Sequence, residues 1–590
     1  MVDIARDPRW GRIAEGAGED TFLGSQIARA KVVGYQGIDL ADPLTVAACV
    51  KHFTGYGAAE AGRDYNTVDM SELRLRQTYL PPFKAAIDAG CASIMTSFNE
   101  LFGIPATGSE FLFQKVLRDE WKYKGMVVTD YTAINEMVTH GYARDLKQAG
   151  ELALEAGIDM DMQGAVYLDY LNKSLDEGKV NMAQIDQAVR RVLRLKFQLG
   201  LFDDPYRYLN KDREKEIVLS NEMSEHALEA GKRSMVLLKN DAVNGGKLLP
   251  FRNVEGPVAL IGPLADNRMD VMGSWHAAGD ASQTVTVAEG IKNKFPDLDL
   301  KVMRGCGFEE GDTSGMSEAE NLAARSDLVI LAIGENYQQN GEAASRSNID
   351  LPGPQPELVK RIVETGTPVI ALVMAGRPLA LEWLDEHVPA ILNTWHPGSR
   401  AGDAIAEVLS GDYDPSGKLV ITFPRNVGQI PIYYNHKNTG RPFDAQNKYT
   451  SKYLDVSNEP LYPFGYGLSY TSFEYSGLTL SSKSISEKDS LMVTIDVINT
   501  GDYNGEEVVQ LYIHDRVGSV TRPVKELKGF EKIVLKKGES KKVRFTIKAP
   551  DLAFYNGKLE YKWEPGQFDV YVGGNSRDVL SAEFELTIDD

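Results

Sequence analysis

Short apolar runs alternate with helical patterns over the first 202 residues. Three runs are typical of buried strands because they are short, continuous and bounded by polar residues: TVAACVKHF, CASIMTSFN and KGMVVTD. The stretches between them, such as SELRLRQTYLPPFKAAIDAG, combine a capping side chain with apolar residues at helical spacing. Strand–helix repetition predicts a parallel sheet, and polar residues at the strand ends predict a (β/α) barrel with its site on that face. We assign residues 1–202 to a TIM-like (β/α) barrel.

The remaining chain divides by changes of pattern. Residues 203–230 are polar and charged, which predicts a linker with a helix. Residues 231–425 again alternate apolar runs with helical stretches and predict a second α/β domain. Residues 426–475 are rich in Pro, Gly, Tyr and Asn and predict a connecting loop. From 476 to 590, short segments alternate polar and apolar residues between turn signals, which predicts an antiparallel β-sandwich.

One helix can be placed in detail. Apolar residues recur at helical spacing in MAQIDQAVRRVLRLKFQLG, and a glycine follows. This predicts an amphipathic helix that ends at Gly200.

Composition limits the classes of partner and cofactor that the protein can use. The 590 residues contain 64 Lys and Arg against 84 Asp and Glu, a formal charge of −20 that disfavours nucleic acid and anionic membranes as partners. The sequence has no apolar run of the roughly 18 residues that a membrane span needs and no signal-peptide core at its start. Its three cysteines lack metal-site spacing, and we find no phosphate loop or redox motif. We therefore expect no metal and no cofactor.

Asp130 directly follows the apolar run GMVVT. A carboxylate there lies at the mouth of a barrel, where it can act on a substrate. The alternative is a helix N-cap for the segment TAINEMVTHG. From the residues alone both interpretations stay open.

Many motifs along the chain resemble one enzyme family, and they occur in the family's order. They are DPRWGR, EGAGED, KHFTGYG, YNTVDMSE, VTDY, VLLKN, GPLAD, VMGSW, GDYDPSGKLVITFP, NTGRPF, LYPFGYGLSYT and RPVKELKGFEK. Together they resemble glycoside hydrolase family 3, and within it the bacterial periplasmic β-glucosidases. The resemblance implies a retaining exo-β-glucosidase that forms a covalent glycosyl-enzyme on Asp130. It also implies an α/β sandwich for 231–425, a fibronectin type III-like fold for 476–590, and a periplasmic or secreted location.

A retaining glycosidase needs a second carboxyl group as acid and base. The loop GENYQQNGEAASRS offers Glu335 and Glu342. Glu335 directly follows the apolar run LVILAIG, where a strand-end salt bridge or cap is the alternative. The family places its acid/base just before a small-small-Ser-Arg sequence, which here favours Glu342. A loop residue from a neighbouring domain can also reach a barrel mouth.

The resemblance also implies a set of sugar-binding residues: Arg12, Lys51, His52, Met95, Phe98 and Tyr131. Lys51 and His52 follow the apolar run TVAACV, where a cation and an imidazole can donate hydrogen bonds to hydroxyl groups. A structural ion pair is the alternative for these two, and ordinary packing for the last three.

Three functions remain open. The first is a β-glucosidase acting on small β-glucosides or oligosaccharides; the second is a β-xylosidase or another exo-glycosidase of the family. The N-acetylglucosaminidase subgroup is disfavoured, because it uses a KHFPGHG-type loop where this chain has KHFTGYG. Family members begin well before MVDIARDPRWGR and carry a sugar-binding aspartate there. We therefore expect a truncated chain with an incomplete barrel and little activity, and the third candidate is an inactive fragment that only binds sugar. A homodimer is one option for the oligomeric state.

Overall fold

The computed structural model describes residues 1–251 and 256–588. The chain forms two compact units. The first unit consists of Met1–Arg6 and Glu15–Ile217, and the second of Asp7–Ala14 and Val218–Asp590. The segment Asp7–Ala14 therefore belongs to the second unit, whereas the sequence pattern assigned it to the barrel of residues 1–202. The reason is its backbone pairing with residues far along the chain, described below.

The first unit is built on parallel strands. Strand β1 (Cys49–Phe53) pairs with β2 (Ser93–Thr96), and β2 pairs with β3 (Met126–Val128), each in parallel. Val2 donates to the carbonyl of Lys51 at 3.0 Å on one side, and Val128 forms a parallel bridge to Met160 on the other. Successive parallel strands in chain order are the arrangement of a (β/α) barrel wall.

Helices accompany these strands, and several of them share a buried apolar core with the strands. In the described part of this unit they include Thr21–Gln36, Pro81–Asp88, Ala133–Thr139, Leu146–Ala156, Val166–Asp176, Met182–Gln198 and Lys211–Ile217, with π-helical turns at Leu75–Tyr79 and Phe111–Glu120. Asp20 caps the first of them through the N–H of Leu23 at 2.7 Å. A capping box of Asn181 and Gln184 begins the helix Met182–Gln198.

The α/β part of the second unit is a six-stranded sheet in the order β6-β5-β7-β8-β9-β4. Its strands are β4 (Val236–Asn240), β5 (Val258–Ile261), β6 (Leu300–Met303), β7 (Leu328–Gly334), β8 (Val369–Met374) and β9 (Ala390–Asn393). All pairs are parallel except β9 with β4. The accompanying helices are Asn221–Ser234, Val287–Lys294, Met316–Ala323, Gln355–Glu364, Glu382–His387 and Ala401–Ser410. Strands β7 and β8 are buried along their whole length, as their continuous apolar runs predict.

The C-terminal part of the second unit is a β-sandwich. Its two sheets have the orders β10-β12-β15 and β11-β17-β16-β13-β14. The strands are β10 (Phe473–Leu480), β11 (Ser484–Ser486), β12 (Ser490–Asn499), β13 (Gly505–Asp515), β14 (Glu526–Leu535), β15 (Ser540–Lys548), β16 (Gly566–Gly573) and β17 (Val579–Thr587). Alternating buried residues of both sheets form its core.

Candidate active site

The carboxyl group of Asp130 lies two residues beyond β3 and is almost fully buried, with 7% of the residue exposed. The Asp130 N–H donates to Thr96 Oγ1 at 3.2 Å, which ties it to the end of β2. Its Oδ1 accepts the N–H of Tyr131 at 2.7 Å. The next helix begins at Ala133, and Thr132 occupies its N-cap position. Asp130 is therefore not the cap of this helix, and the N-cap interpretation is wrong.

His52 connects Asp130 with a second buried acid. The His52 Nε2 lies 3.4 Å from Asp130 Oδ2. Its Nδ1 lies 3.2 Å from Asp3 Oδ2, and the same oxygen accepts the backbone N–H of His52 at 2.9 Å. The imidazole is completely buried, and the contacts of Asp3 with its backbone N–H and with Nδ1 fix the plane of the ring. The opposite nitrogen then faces Asp130.

Asp3 was not predicted from the sequence as a site residue. The available signal was an acid inside the apolar run VDIA, where a charge needs a buried partner. Asp3 is 2% exposed, and Val2, Ile4 and Ala5 around it are buried as well.

The other barrel residues named from sequence have different environments. Lys51 and Met95 are half-buried on β1 and β2. Phe98 is 8% exposed and packs edge-on against Tyr65, with ring centroids 5.3 Å apart. Tyr131 is 57% exposed. Their predicted role in lining a sugar pocket stays a prediction.

Asp130 also affects the pKa of one further carboxyl group, that of Glu136. Glu136, on the helix that follows, has its pKa raised to about 6 by burial and by the negative charge of Asp130.

In the second unit, Glu335 follows β7 and is completely buried. Its Oε1 accepts from Arg346 Nη1 and from Arg377 Nε, each at 2.8 Å. Its Oε2 accepts the N–H of Gly376 at 3.3 Å. The geometry is that of the strand-end salt bridge considered as the alternative for this residue.

Glu342 lies seven residues further along the same loop, and its side chain is 40% exposed. Its Oε1 lies 3.2 Å from Arg12 Nη1, whose own side chain is only 1% exposed. Gly341 next to it has φ 88°, and Ala343 on the other side has φ 55°. The carboxyl group is thus presented by a sharply turned loop and paired with one buried cation.

The pairing of Arg12 with Glu342 was not predicted. Arg12 belongs to the segment Asp7–Ala14, which joins the second unit through its backbone. Gly11 O accepts the N–H of Gly341 at 2.9 Å, and Arg9 O accepts the N–H of Arg346 at 2.9 Å. The segment therefore runs alongside the loop that carries Glu342.

Within residues 1–251 and 256–588, no group of three or more His, Cys, Asp or Glu side chains is placed to hold a metal ion. Over the same residues, none of the helices combines the length and apolar character that crossing a bilayer requires.

Comparison with known proteins identifies the family. Residues 1–195 match the glycosyl hydrolase family 3 N terminal domain, residues 235–470 the family's C-terminal domain, and residues 507–576 a fibronectin type III-like domain. These matches confirm the predicted fold class of a TIM-like barrel, an α/β sandwich and a fibronectin type III-like β-sandwich.

Individual relatives agree with this result. A periplasmic β-glucosidase of Salmonella typhimurium is 45% identical over 99% of this chain and 79% of its own length. A β-xylosidase of Formosa agariphila is 37% identical over 97% of this chain and 80% of its own length. A mutant β-glucosidase from Listeria innocua, solved in complex with laminaribiose, superposes with a TM-score of 0.95 at 43% identity, over 100% of this chain and 80% of that one. The resemblance found in the motifs is thereby confirmed, and the chain belongs to glycosyl hydrolase family 3.

Proposed function

We propose that the protein is a retaining exo-β-glucosidase that releases terminal β-D-glucosyl residues through a covalent glycosyl-enzyme. One observation carries the proposal: the buried carboxylate of Asp130 at a strand end, 3.4 Å from a histidine that Asp3 orients. Relatives at 45% and 43% identity that are named β-glucosidases support the choice of sugar.

Asp130 is the nucleophile. Its Oδ1 is engaged by the N–H of Tyr131, whereas Oδ2 has no hydrogen bond of acceptable geometry within the described residues. One oxygen thus orients the carboxylate, and the other keeps its lone pairs for attack on the anomeric carbon. Lys51 and Arg12 donate hydrogen bonds to the hydroxyl groups of the sugar, and His52 is a further sugar-binding residue.

Glu342 is the general acid and base. It is 40% exposed on a loop, whereas both oxygens of the buried Glu335 are already engaged by Arg346, Arg377 and Gly376. In the first step Asp130 displaces the leaving oxygen while Glu342 gives it a proton. In the second step Glu342 takes a proton from water, and this water displaces Asp130 from the anomeric carbon.

A β-xylosidase is the second candidate, because relatives at 37% and 36% identity carry that name. The two sugars differ by a hydroxymethyl group, so the ratio of kcat/KM values for matched aryl glucosides and aryl xylosides decides between them. We expect the glucoside to be preferred. A purified protein that binds glucose but hydrolyses neither substrate would be a binding protein only.

Trapping tests the nucleophile. A 2-deoxy-2-fluoro glucoside with a good leaving group should slow the second step and leave the ester on the enzyme. Peptide mapping should place the added mass on KGMVVTDYTAINE, at Asp130. A label on a carboxylate outside this peptide, or an α-anomeric first product, would overturn the assignment.

Paired variants test the acid/base. Glu342→Ala should lose far more activity on glucosides with poor leaving groups than on 2,4-dinitrophenyl glucoside, which needs little protonation. Azide should restore part of the activity by attacking the glycosyl-enzyme. Glu335→Ala is measured beside it, and if it shows this behaviour and Glu342→Ala does not, the two glutamates exchange roles.

We further propose a periplasmic or secreted location, following the periplasmic relative. Cell fractionation of the native host with a specific antibody checks it. Sedimentation velocity checks whether the protein forms a homodimer.

A further inference from the structure

Arg377 lies three residues beyond β8 and is one of the largest fully buried side chains of the protein, with 1% of the residue exposed. A guanidinium group has five N–H donors. All five have an acceptor here: Glu335 Oε1 and the carbonyl oxygens of Pro8, Arg9, Gln339 and Ala344. Four of these five acceptors are backbone carbonyl oxygens. Arg377 therefore holds the backbone of the surrounding segments more than it holds any particular side chain.

These acceptors bracket Glu342. Gln339 lies three residues before it and Ala344 two residues after it, and Arg377 Nη2 donates to both carbonyls, at 2.7 Å for Ala344. The acid/base loop, defined as residues 339–344, is therefore held at both ends by one nitrogen of one side chain.

The same side chain holds the segment that supplies Arg12. Arg377 Nη1 donates to Pro8 O at 3.0 Å and to Arg9 O at 2.8 Å. Gly11 then lies so close to the acid/base loop that a Cβ atom on it would be 2.3 Å from Gly341 O and 2.7 Å from Ala344 O. Arg377 thus clamps two chain segments against each other, with Glu342 on one and Arg12 on the other.

The loop needs such external support. Gly341 and Ala343, on either side of Glu342, both have left-handed backbone conformations, and alanine adopts this conformation only at a cost. A chain segment with unfavourable local geometry keeps its course only where its surroundings determine it. The five hydrogen bonds of Arg377 provide that determination.

We propose that Arg377 is a positioning residue for the general acid/base: it clamps the acid/base loop to the segment Pro8–Arg12 and so fixes the carboxyl group of Glu342. The inference rests on the proposed role of Glu342. A displacement of about 1 Å in a catalytic group can lower the rate about 100-fold. A shorter or differently shaped cation cannot reach five acceptors, because an ammonium group has only three donors.

The test compares leaving groups in Arg377→Lys and Arg377→Met. We expect kcat/KM for phenyl glucoside to fall about 100-fold, while that for 2,4-dinitrophenyl glucoside stays within about threefold. Azide should accelerate the variants, as it does for Glu342→Ala. A purely structural role would instead lower both substrates equally, in proportion to the lost folded protein, and that result would overturn the inference.

A second variant tests the clamp without changing the buried ion pair of Arg377 and Glu335, in case the Arg377 variants do not fold. Gly11→Ala pushes the two clamped segments apart and should produce the same dependence on the leaving group. Gly246→Ala is the matched control, because nothing lies within 4 Å of the added atom and its φ is ordinary. Equal losses on both substrates in Gly11→Ala would count against the clamp.

Glu342→Ala, measured in parallel, separates the proposed role of Glu342 from the proposed role of Arg377. If it shows the dependence on the leaving group and neither Arg377→Lys nor Gly11→Ala does, the clamp is refuted and the proposed function stands. If Glu342→Ala itself lacks this dependence, the proposed role of Glu342 fails, and the clamp fails with it.

Discussion

Removal of Asp3 should impair the nucleophile side of the reaction without touching acid catalysis. Asp3 Oδ2 accepts two hydrogen bonds from one residue, the backbone N–H and Nδ1 of His52. Asp3→Ala leaves both donors buried and lets the ring rotate away from Asp130. A hydrogen bond to a charged group contributes about 1.5–3 kcal/mol. If the Nδ1 bond alone is lost from the transition state, kcat/KM should fall about 10- to 150-fold.

Asp3→Asn provides the graded comparison. Asp3 Oδ1 has no hydrogen-bond partner among the described residues, so an amide nitrogen can take its place while the amide oxygen accepts both N–H groups. The geometry is then kept and only the charge is lost. The difference between charged and neutral hydrogen bonds, about 1 kcal/mol, predicts a loss of about fivefold.

The assay is kcat/KM for a series of aryl glucosides, with active enzyme counted by the burst of a 2-deoxy-2-fluoro glucoside. Every substrate should lose activity by the same factor, since His52 acts on the sugar and Asp130 and not on the leaving oxygen. The reasoning would be refuted by losses that grow with the pKa of the leaving group, or by an Asn variant as impaired as the Ala variant.

Three further predictions concern other parts of the chain. Burial raises the pKa of Asp414 to about 6, so the folded protein binds more protons than the unfolded chain between about pH 4 and 6 and loses stability as the pH rises through this range; urea unfolding of Asp414→Asn should lack this slope, worth about 1–2 kcal/mol after solvent screening. Gln510→Ala should lower the free energy of unfolding by about 2–3 kcal/mol, because its buried amide donates to Gly465 O at 3.1 Å and Gly574 O at 2.6 Å; denaturant titration checks this, and kcat should not change. Phe98→Ala removes the ring that packs on Tyr65 and should raise KM for glucosides more than it lowers kcat, which steady-state kinetics will show.

The strand ends could be predicted from sequence because burial is a local property. Continuous apolar runs marked β1, β2 and β3, and Asp130 lies two residues beyond β3. The helix Met182–Gln198 was also predictable from its period, and its last residue precedes Gly200, which has φ 68°. The environment of its apolar face was not, since Val189 and Phe197 are 47% and 71% exposed. Periodicity identifies a helix but does not say what covers it.

The partners of the charged residues were beyond prediction because they are distant in sequence. Arg377 and Pro8 are 369 positions apart, and no spacing rule links such residues. Glu335 and Glu342 occupy one loop and differ only in which cations they meet. The resemblance to the family favoured Glu342, and the burial of Glu335 supports the same choice on independent physical grounds.

The course of Asp7–Ala14 also affects how the protein is made. Their partner Arg377 follows 369 positions after Pro8, so it is synthesised much later than this segment. At about 5–20 residues per second, the ribosome needs roughly 20–75 s to supply it. During that time the first unit can begin to fold with Asp7–Ala14 as an unattached loop. The acid/base loop is clamped to the segment Pro8–Arg12 only after Arg377 has been synthesised and has bound that segment. A nascent chain can therefore have Asp130 in place well before Glu342 is fixed.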